Sequence, residues 1–314
     1  MVNIHWFRND LRLHDNPALC HTVHLSSVND KDGVLPIFIF DNTRVFGSCV
    51  QSRLNSSLKC GPRRAQFLLE AVADLRHNLE RCGSGLIISV GKTEQIIGEI
   101  ALQTSGVVNI VCQEEICSEE LSINEAVQIA LNAQGNEFNL RSISGSTLYD
   151  PSTLPFDGGV DGIPDTFSPF RKEVEKWCKI GVPLDAPAQG RLKLPHNICS
   201  ILEGSGTSLD YMPTLEDLGY NSEDIESIST NDSRSAMPKG SKGGETFALS
   251  RVQEYLWELD LIQTYFCSRN GMIGASYSTK LAPWLACGCV SPRYIAKECA
   301  RYEELRVKNK STYW

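Results

Sequence analysis

The first 150 residues alternate between short apolar runs and longer amphipathic stretches. The apolar runs are rich in β-branched and aromatic residues, as expected of strands that are buried on both faces. They are Val2–Phe7, Val34–Phe40, Leu86–Val90, Val107–Cys112 and Phe138–Ile143. The longest amphipathic stretch, Arg64–Arg81, repeats apolar residues every four positions, which forms one apolar stripe along a helix. This alternation predicts an α/β fold with a Rossmann-like open parallel sheet covered by helices.

Local signals mark several helix ends in this part of the chain. Asn16-Pro17 combines a capping residue with a proline suited to a first helical turn, Pro62 is a second such proline, and Gly83 suits a helix stop. No G-x-G-x-x-G follows the first strand, and the chain has no P-loop motif. A dinucleotide site of the usual kind is therefore not predicted.

The pattern changes twice after residue 145. Residues 146–244 are rich in proline and glycine and predict a long connector, with a helix near Pro169–Ile180 and a mobile, polar stretch near 200–244. From Glu245 apolar residues again recur every three or four positions, and a second helix follows Ser291-Pro292. We expect an α/β domain over 1–145, the connector over 146–244, and the beginning of an all-α domain over 245–314.

Composition narrows the class of protein. The chain has 314 residues, 41% hydrophobic and 22% charged, which suits two globular domains. It has no apolar run long enough for a membrane span, and no signal or transit segment is visible before the first strand. The twelve cysteines include no C-x-x-C pair, so we expect small buried thiols in a reducing compartment and no metal. Cytoplasm or nucleus is the default compartment, with an organelle left open.

Charge is unevenly distributed. Residues 1–150 and 151–244 each carry a net charge of −5, whereas residues 245–314 carry +2. A nucleic-acid contact would therefore belong to the last segment, where the basic surplus is small.

Four stretches carry a stronger signal than any single residue. Taken singly, Asp10 and Asp15 suit turn capping, and Arg8 suits an ion pair with either. Together, His5–Leu19 reads HWFRNDLRLHDNPAL and Gln113–Glu120 reads QEEICSEE. The third stretch consists of GSTLY from residue 145, LPF from residue 154 and PDTFSPFRK from residue 164. The fourth stretch consists of GGET from residue 243, RNGMIGA from residue 269 and YSTKLAPWLACGCVSPR from residue 277. In this order they resemble the DNA photolyase/cryptochrome family, specifically its DASH type.

The resemblance implies a site for FAD. In the family a short hydroxyl-rich turn that opens a helix binds the FAD diphosphate, and unpaired N–H groups at a helix start suit that role. Here this hydroxyl turn consists of Ser278, Thr279, Lys280, Leu281 and Ala282. Ala282 stands where the family usually has serine, which removes one side-chain donor. The resemblance also places Tyr265 and Trp314 at the flavin cofactor.

A second implied site belongs to an antenna chromophore, commonly 5,10-methenyltetrahydrofolate. The resemblance places Gln113 and Glu114 where the family contacts it, and a carboxylate there can accept hydrogen bonds from a pterin ring. The competing interpretation is that Glu114 and Glu115 are only solvated loop acids.

The family's helical domain extends well beyond these segments, so we expect an incomplete chain with no catalytic residue of its own. The continued protein is expected to be a blue-light photoreceptor, to repair cyclobutane pyrimidine dimers in single-stranded or damaged DNA, or both. Two alternatives stay open: a non-catalytic antenna- or partner-binding module, and an adenine-nucleotide-binding relative of electron-transfer flavoproteins. We also expect exposed apolar faces around Leu281, Trp284 and Leu285. The oligomeric state is not predicted.

Overall fold

A single parallel sheet forms the centre of the first part of the chain. The computed structural model describes residues 2–27, 33–52, 54–104, 107–134, 137–156, 162–229, 237–238, 240–271 and 274–306. The strands are β1 (Val2–Phe7), β2 (Gly33–Phe40), β3 (Ile87–Val90), β4 (Val108–Gln113) and β5 (Phe138–Ile143). They lie in the order β3-β2-β1-β4-β5, and every neighbouring pair is parallel. The predicted strands are confirmed to within one residue at each end.

Helices cover both faces of this sheet, as predicted. They are α1 (Pro17–Ser26), α2 (Pro62–Arg81), α3 (Thr93–Leu102) and α4 (Ser118–Ala133). Because side chains alternate along a strand, β1 sends Phe7 to the core under α1 and α2, and Ile4 to the core under α3 and α4. The predicted helix ends are also confirmed: Asn16 accepts a hydrogen bond from the Leu19 N–H at 2.9 Å, and Gly83 adopts a φ of +80° just after α2.

In its described residues the connector contains three α-helices and a short 3₁₀ turn at Pro151–Thr153. They are α5 (Phe167–Trp177), α6 (Ile198–Ser205) and α7 (Ser222–Ser229). Ile201 of α6 joins the core beneath α3 and α4, and Tyr220 joins the core beneath α2. Residues 230–236 and 239 lie outside the described residues, so the mobility predicted near 200–244 stays a prediction.

The last part of the chain is helical, as predicted. Its α-helices are α8 (Glu245–Gln253), α9 (Tyr265–Ser268), α10 (Ala282–Ala286) and α11 (Pro292–Arg306), with a π turn at Glu254–Glu258 and a 3₁₀ turn at Leu261–Thr264. This part shares one hydrophobic core with α2.

The expected exposure of the α10 region is wrong for two of its three residues. Leu281 and Trp284 are 4% and 2% exposed, because Trp284 packs edge-on against Phe67 of α2 at 5.8 Å and donates a hydrogen bond to the carbonyl of Lys242 at 2.9 Å. Leu285 is 39% exposed, as expected.

Metal and membrane signals are absent from the described ranges. No helix in them is long and apolar enough to cross a bilayer. No group of three or more histidine, cysteine or acidic side chains in them is arranged to hold a metal ion. All twelve cysteines are free thiols; four are buried and four are exposed.

Candidate functional site

The order of the strands defines one crevice. The chain moves outward from β1 to β2 and β3, and then crosses to the other side of β1 to form β4 and β5. In open parallel sheets, ligands bind at the carboxyl ends of the two strands where this reversal occurs. Here those ends carry the first loop, residues 8–16, after β1 and the Gln113–Glu120 stretch after β4.

Polar side chains from both strand ends meet in this crevice. Arg8 donates hydrogen bonds to Asn124 of α4 at 2.7 Å and to the carbonyl of Glu120 at 3.1 Å, and its guanidinium lies 4.6 Å from the centre of the Trp6 ring. It therefore forms no ion pair with Asp10 or Asp15. Asn9 donates to Glu115 at 3.2 Å. Burial raises the pKa of the Glu115 carboxyl.

The structure places the two predicted antenna residues differently from each other. Gln113 is buried, and its amide donates to the carbonyl of Asn9 at 3.2 Å, so its donor is used inside the protein. Glu114 is exposed. Glu115, which the sequence interpretation treated only as a loop acid, is half-buried between Asn9 and Gln113. Its burial is the feature that distinguishes it from Glu114.

The rest of the first loop joins the sheet to the helical part. Arg12 is 1% exposed, and its guanidinium donates to the carbonyls of Gly288 at 2.8 Å, Asp15 at 3.0 Å and Gly145 at 3.1 Å. Three carbonyls that would otherwise lack a donor are thus satisfied by one buried cation.

Two acidic residues complete this joint. Asp15 accepts two hydrogen bonds from Arg293, at 2.8 and 2.9 Å, and one from the Ser291 hydroxyl. Burial acts to raise the pKa of Asp15, but these hydrogen bonds outweigh it and hold the pKa below its usual value. From the other side, Glu245 accepts from the backbone N–H groups of Leu13 and His14, both at 2.9 Å.

Close backbone contact seals the joint at Gly288. Its φ is +66°, and a Cβ atom built there would lie 1.9 Å from the carbonyl oxygen of Asn9. The charged sequence string of the first loop is therefore largely a structural joint. Its partners Glu245, Ser291 and Arg293 lie in the fourth stretch, but no sequence signal paired them with the first loop.

The hydroxyl turn has the backbone geometry of an anion site. Lys280 adopts a left-handed φ of +58°, and Leu281 follows in the right-handed region at φ −78°, ψ −9°. Consecutive residues of opposite hand turn successive N–H groups toward one concavity, which suits phosphate oxygens. α10 has only five residues, so a helix dipole contributes little at its start, and the available donors are those of the turn itself.

A buried arginine holds the hydroxyl turn in this shape. Arg251 of α8 is 5% exposed and donates to the carbonyls of Ala275 at 2.6 Å and Thr279 at 3.0 Å, while its other nitrogen pairs with Glu254 at 2.6 Å. The carbonyl groups of Ala275 and Thr279 therefore point toward the Arg251 guanidinium. The side chains of Ser278 and Lys280 form no hydrogen bond or ion pair with another described residue.

The remaining predicted FAD residues are not brought to the turn by described contacts. Tyr265 begins α9 and is 42% exposed. Ala282 is the first residue of α10 and is exposed. Trp314 lies outside the described residues.

The fold defines a class: a doubly wound α/β domain locked through its first loop to a helical part that carries the hydroxyl turn. A sequence model of the DNA photolyase family matches residues 3–188, which is more than half of the chain. The chain therefore belongs to the DNA photolyase/cryptochrome family, as the sequence resemblance predicted.

Similar proteins refine this assignment. A "Cryptochrome DASH, chloroplastic/mitochondrial" of Ostreococcus tauri is 39% identical over 320 residues, covering 98% of this chain and 56% of that protein. A "Cryptochrome DASH" of Xenopus laevis is 38% identical over 307 residues, covering 98% of this chain and 53% of that protein. The curated relatives are thus cryptochromes of the DASH type, as predicted.

Solved structures agree with the fold. The crystal structure of a Synechocystis cryptochrome superposes with a TM-score of 0.80 at 34% identity, over all of this chain and 58% of that one. An archaeal photolyase from Sulfolobus tokodaii, described with two FAD molecules, superposes with a TM-score of 0.59 at 18% identity, over 99% of this chain and 56% of that one. The chain spans about half the length of the curated relatives it matches. None of these comparisons supports the electron-transfer flavoprotein alternative.

Proposed function

We propose that this chain forms the α/β domain and the first helices of the flavin-binding domain of a light-dependent flavoprotein of the DASH type. The observation that carries the proposal is the Lys280–Leu281 turn, with its left-handed residue and its clamp by Arg251. A non-glycine residue in the left-handed region costs about 1 kcal/mol. Such strain at a clamped turn is typical of a functional site.

The residues present fit a diphosphate. The N–H groups of the turn supply neutral donors, the hydroxyls of Ser278 and Thr279 add two more, and the Lys280 ammonium supplies a positive charge. Tyr265 offers an exposed ring for contact with the cofactor. The chemistry that FAD supplies when bound is absorption of near-UV or blue light and transfer of an electron. The role of this chain is to hold and orient the diphosphate end.

The use of that chemistry is proposed for the whole protein, which is longer in its relatives. Repair of cyclobutane pyrimidine dimers in single-stranded or damaged DNA and photoreception both use the same cofactor. The net charge of +2 over residues 245–314 gives this chain a small basic surplus for DNA. We expect the 314-residue chain by itself to lack repair activity.

The test is a binding titration of the purified chain with FAD, after its absorption spectrum has been recorded and its small molecules have been identified by denaturation. Arg251→Met should weaken FAD binding about tenfold or more, because hydrogen bonds from a charged donor contribute about 1.5–3 kcal/mol each. Arg171→Met on the exposed face of α5 is the matched control and should leave affinity unchanged. Equal affinity of both variants would contradict the role of the turn.

An antenna site at the carboxyl ends of β1 and β4 is a second part of the proposal. It is favoured by the half-buried Glu115, whose raised pKa reflects its burial beside Asn9 and Gln113. A folate such as 5,10-methenyltetrahydrofolate should bind more weakly to Glu115→Gln than to the control Glu114→Gln, measured by the absorbance of bound folate. A larger effect of Glu114→Gln would favour the original sequence prediction.

A further inference from the structure

Among the described residues, no strand pairs with the outer side of β5, which leaves it as an edge of the sheet. Its bonds to β4 are fixed at both ends: the Val108 N–H donates to the carbonyl of Glu137 at 3.1 Å, and the Glu114 N–H donates to the carbonyl of Ile143 at 2.8 Å. In a parallel pair, alternate residues of a strand bond to the same neighbour. Asn139, Arg141 and Ile143 therefore bond to β4. The N–H and C=O groups of the remaining three residues point away from the sheet; these are Phe138, Leu140 and Ser142.

Space for another strand exists beside this edge. A groove of about 450 Å³ lies at β5 and is lined by Phe138–Arg141, by Asn109 and Val111 of β4, by Leu25 of α1 and by Gln128 of α4. Leu121 lies two turns before Gln128, on the same side of α4, and is 48% exposed. Unpaired strand edges of this kind pair readily with another strand.

We propose that the occupant is a second copy of this chain, paired antiparallel through β5 about a two-fold axis at Leu140. In that register Leu140 faces Leu140 of the second copy, and Phe138 faces Ser142 of the second copy. All the outward N–H and C=O groups of both strands then form hydrogen bonds, six in number by this pairing rule. The two sheets become one continuous ten-stranded sheet.

The side chains fit the same register. Arg141 faces Asn139 of the second copy, whose amide nitrogen already donates to Asn109 at 3.2 Å and whose amide oxygen is left to accept. Glu137 of the second copy lies diagonally across from Arg141 on the same face, within reach of a long side chain. Glu137 is exposed and forms no ion pair with another described residue. Two symmetric Glu137–Arg141 pairs therefore form across the axis, and no like charges face each other.

This complementarity is what favours a second copy over an unrelated peptide. A charged residue on an edge strand normally prevents pairing, because its charge is left without a partner. Here the two-fold axis supplies Arg141 with both an amide acceptor and an opposite charge from the same strand. Isologous pairing of this kind is the commonest way in which soluble proteins form dimers. Pairing through β5 does not require bound FAD.

The test is the molar mass of the full chain in solution, measured by sedimentation over a wide concentration range. We expect a species of twice the 34.8 kDa of one chain. Leu140→Pro removes the outward N–H without touching the bonds to β4 and should shift the equilibrium to monomer. Leu140→Ala, which loses the same side chain but keeps the N–H, should dimerise. Circular dichroism of both variants checks that they are folded.

A charge exchange tests the register separately. Arg141→Glu should raise the dimer dissociation constant at least tenfold, and the double variant Glu137→Arg with Arg141→Glu should restore it, because the diagonal pairs are re-formed with reversed sign. A chain that stays monomeric at every concentration would overturn the inference. A dimer that survives both Leu140→Pro and Arg141→Glu would also overturn it, since its interface would lie elsewhere.

Discussion

The joint between the sheet and the helical part makes its sharpest prediction at Gly288. Substitution Gly288→Ala places a Cβ atom 1.9 Å from the Asn9 oxygen, 2.5 Å from the Asn9 carbonyl carbon and 2.6 Å from the Asp10 Cα. These are backbone atoms, and they cannot swing aside as the end of a flexible side chain can. The Arg12 hydrogen bond to the Gly288 carbonyl, at 2.8 Å, is disturbed by the same displacement.

The expected loss of unfolding free energy is the sum of three effects. A left-handed alanine costs about 1 kcal/mol. Overpacking against backbone costs about 1–3 kcal/mol, and leaving the Gly288 carbonyl without its charged donor costs about 1–3 kcal/mol. We therefore expect a loss of about 3–7 kcal/mol. Gly83→Ala is the matched control, because Gly83 has a similar φ of +80° but nothing within 4 Å of its Cβ position, so only the first effect applies.

Urea unfolding followed by circular dichroism and tryptophan fluorescence measures both variants. Trp284, one of five tryptophans, is buried on the helical side of the molecule, so part of the fluorescence change reports on that side. If the unfolding free energies of Gly288→Ala and Gly83→Ala differ by less than about 1 kcal/mol, the close approach at Gly288 does not limit stability. The backbone at the joint would then move aside more easily than these distances indicate.

Other consequences are tested more simply. Hydrogen bonds from Arg44 lower the pKa of Glu94 from 4.5 to about 2, so this pair stabilises the fold above pH 4.5, by at most about 3 kcal/mol, and loses that contribution as the pH falls toward 2. Glu94→Gln should flatten the acid dependence of unfolding in that window, whereas the exposed Glu99→Gln should not. Arg12→Met should cost about 3–5 kcal/mol in urea unfolding, because buried carbonyls lose their donor; a loss below about 1 kcal/mol would contradict this. Burial raises the pKa of Cys287 to about 11, so iodoacetamide at neutral pH should spare it in the native chain, and peptide mapping that finds it modified would show an accessible thiolate. The thiols expected to react are Cys49, Cys117, Cys199 and Cys267.

Much of the fold could be read from local patterns. The central strands were predictable because a doubly covered parallel strand needs an apolar run, and Val34–Phe40 is such a run, buried along its whole length. The start of α1 was predictable because Asn16 and Pro17 act on their own helix within three residues. The family resemblance likewise rested on contiguous strings of residues.

The candidate sites were predictable only in part. The residue types of the hydroxyl turn indicate its chemistry without the structure. Arg251, which holds the turn in shape, lies 28 residues before Thr279, and no local sequence rule pairs these two residues. Similarly, Glu114 and Glu115 are adjacent residues of the same type, so the sequence alone does not show which of them is buried. Only the approach of Asn9, 106 residues earlier, buries one of them and leaves the other in water.

By itself, the sequence determined the order of strands and helices, the local helix starts, and the family to which the chain belongs, because each depends on short-range periodicity or on contiguous residues. The tertiary structure alone decided that the charges of the first loop form a joint with Glu245 and Arg293, that Trp284 is buried, and that β5 is left as an open edge. These depend on partners more than 200 residues apart in the case of the joint, and on strand order in the case of β5. Side-chain burial and pairing at such separations follow from packing, which no local pattern encodes.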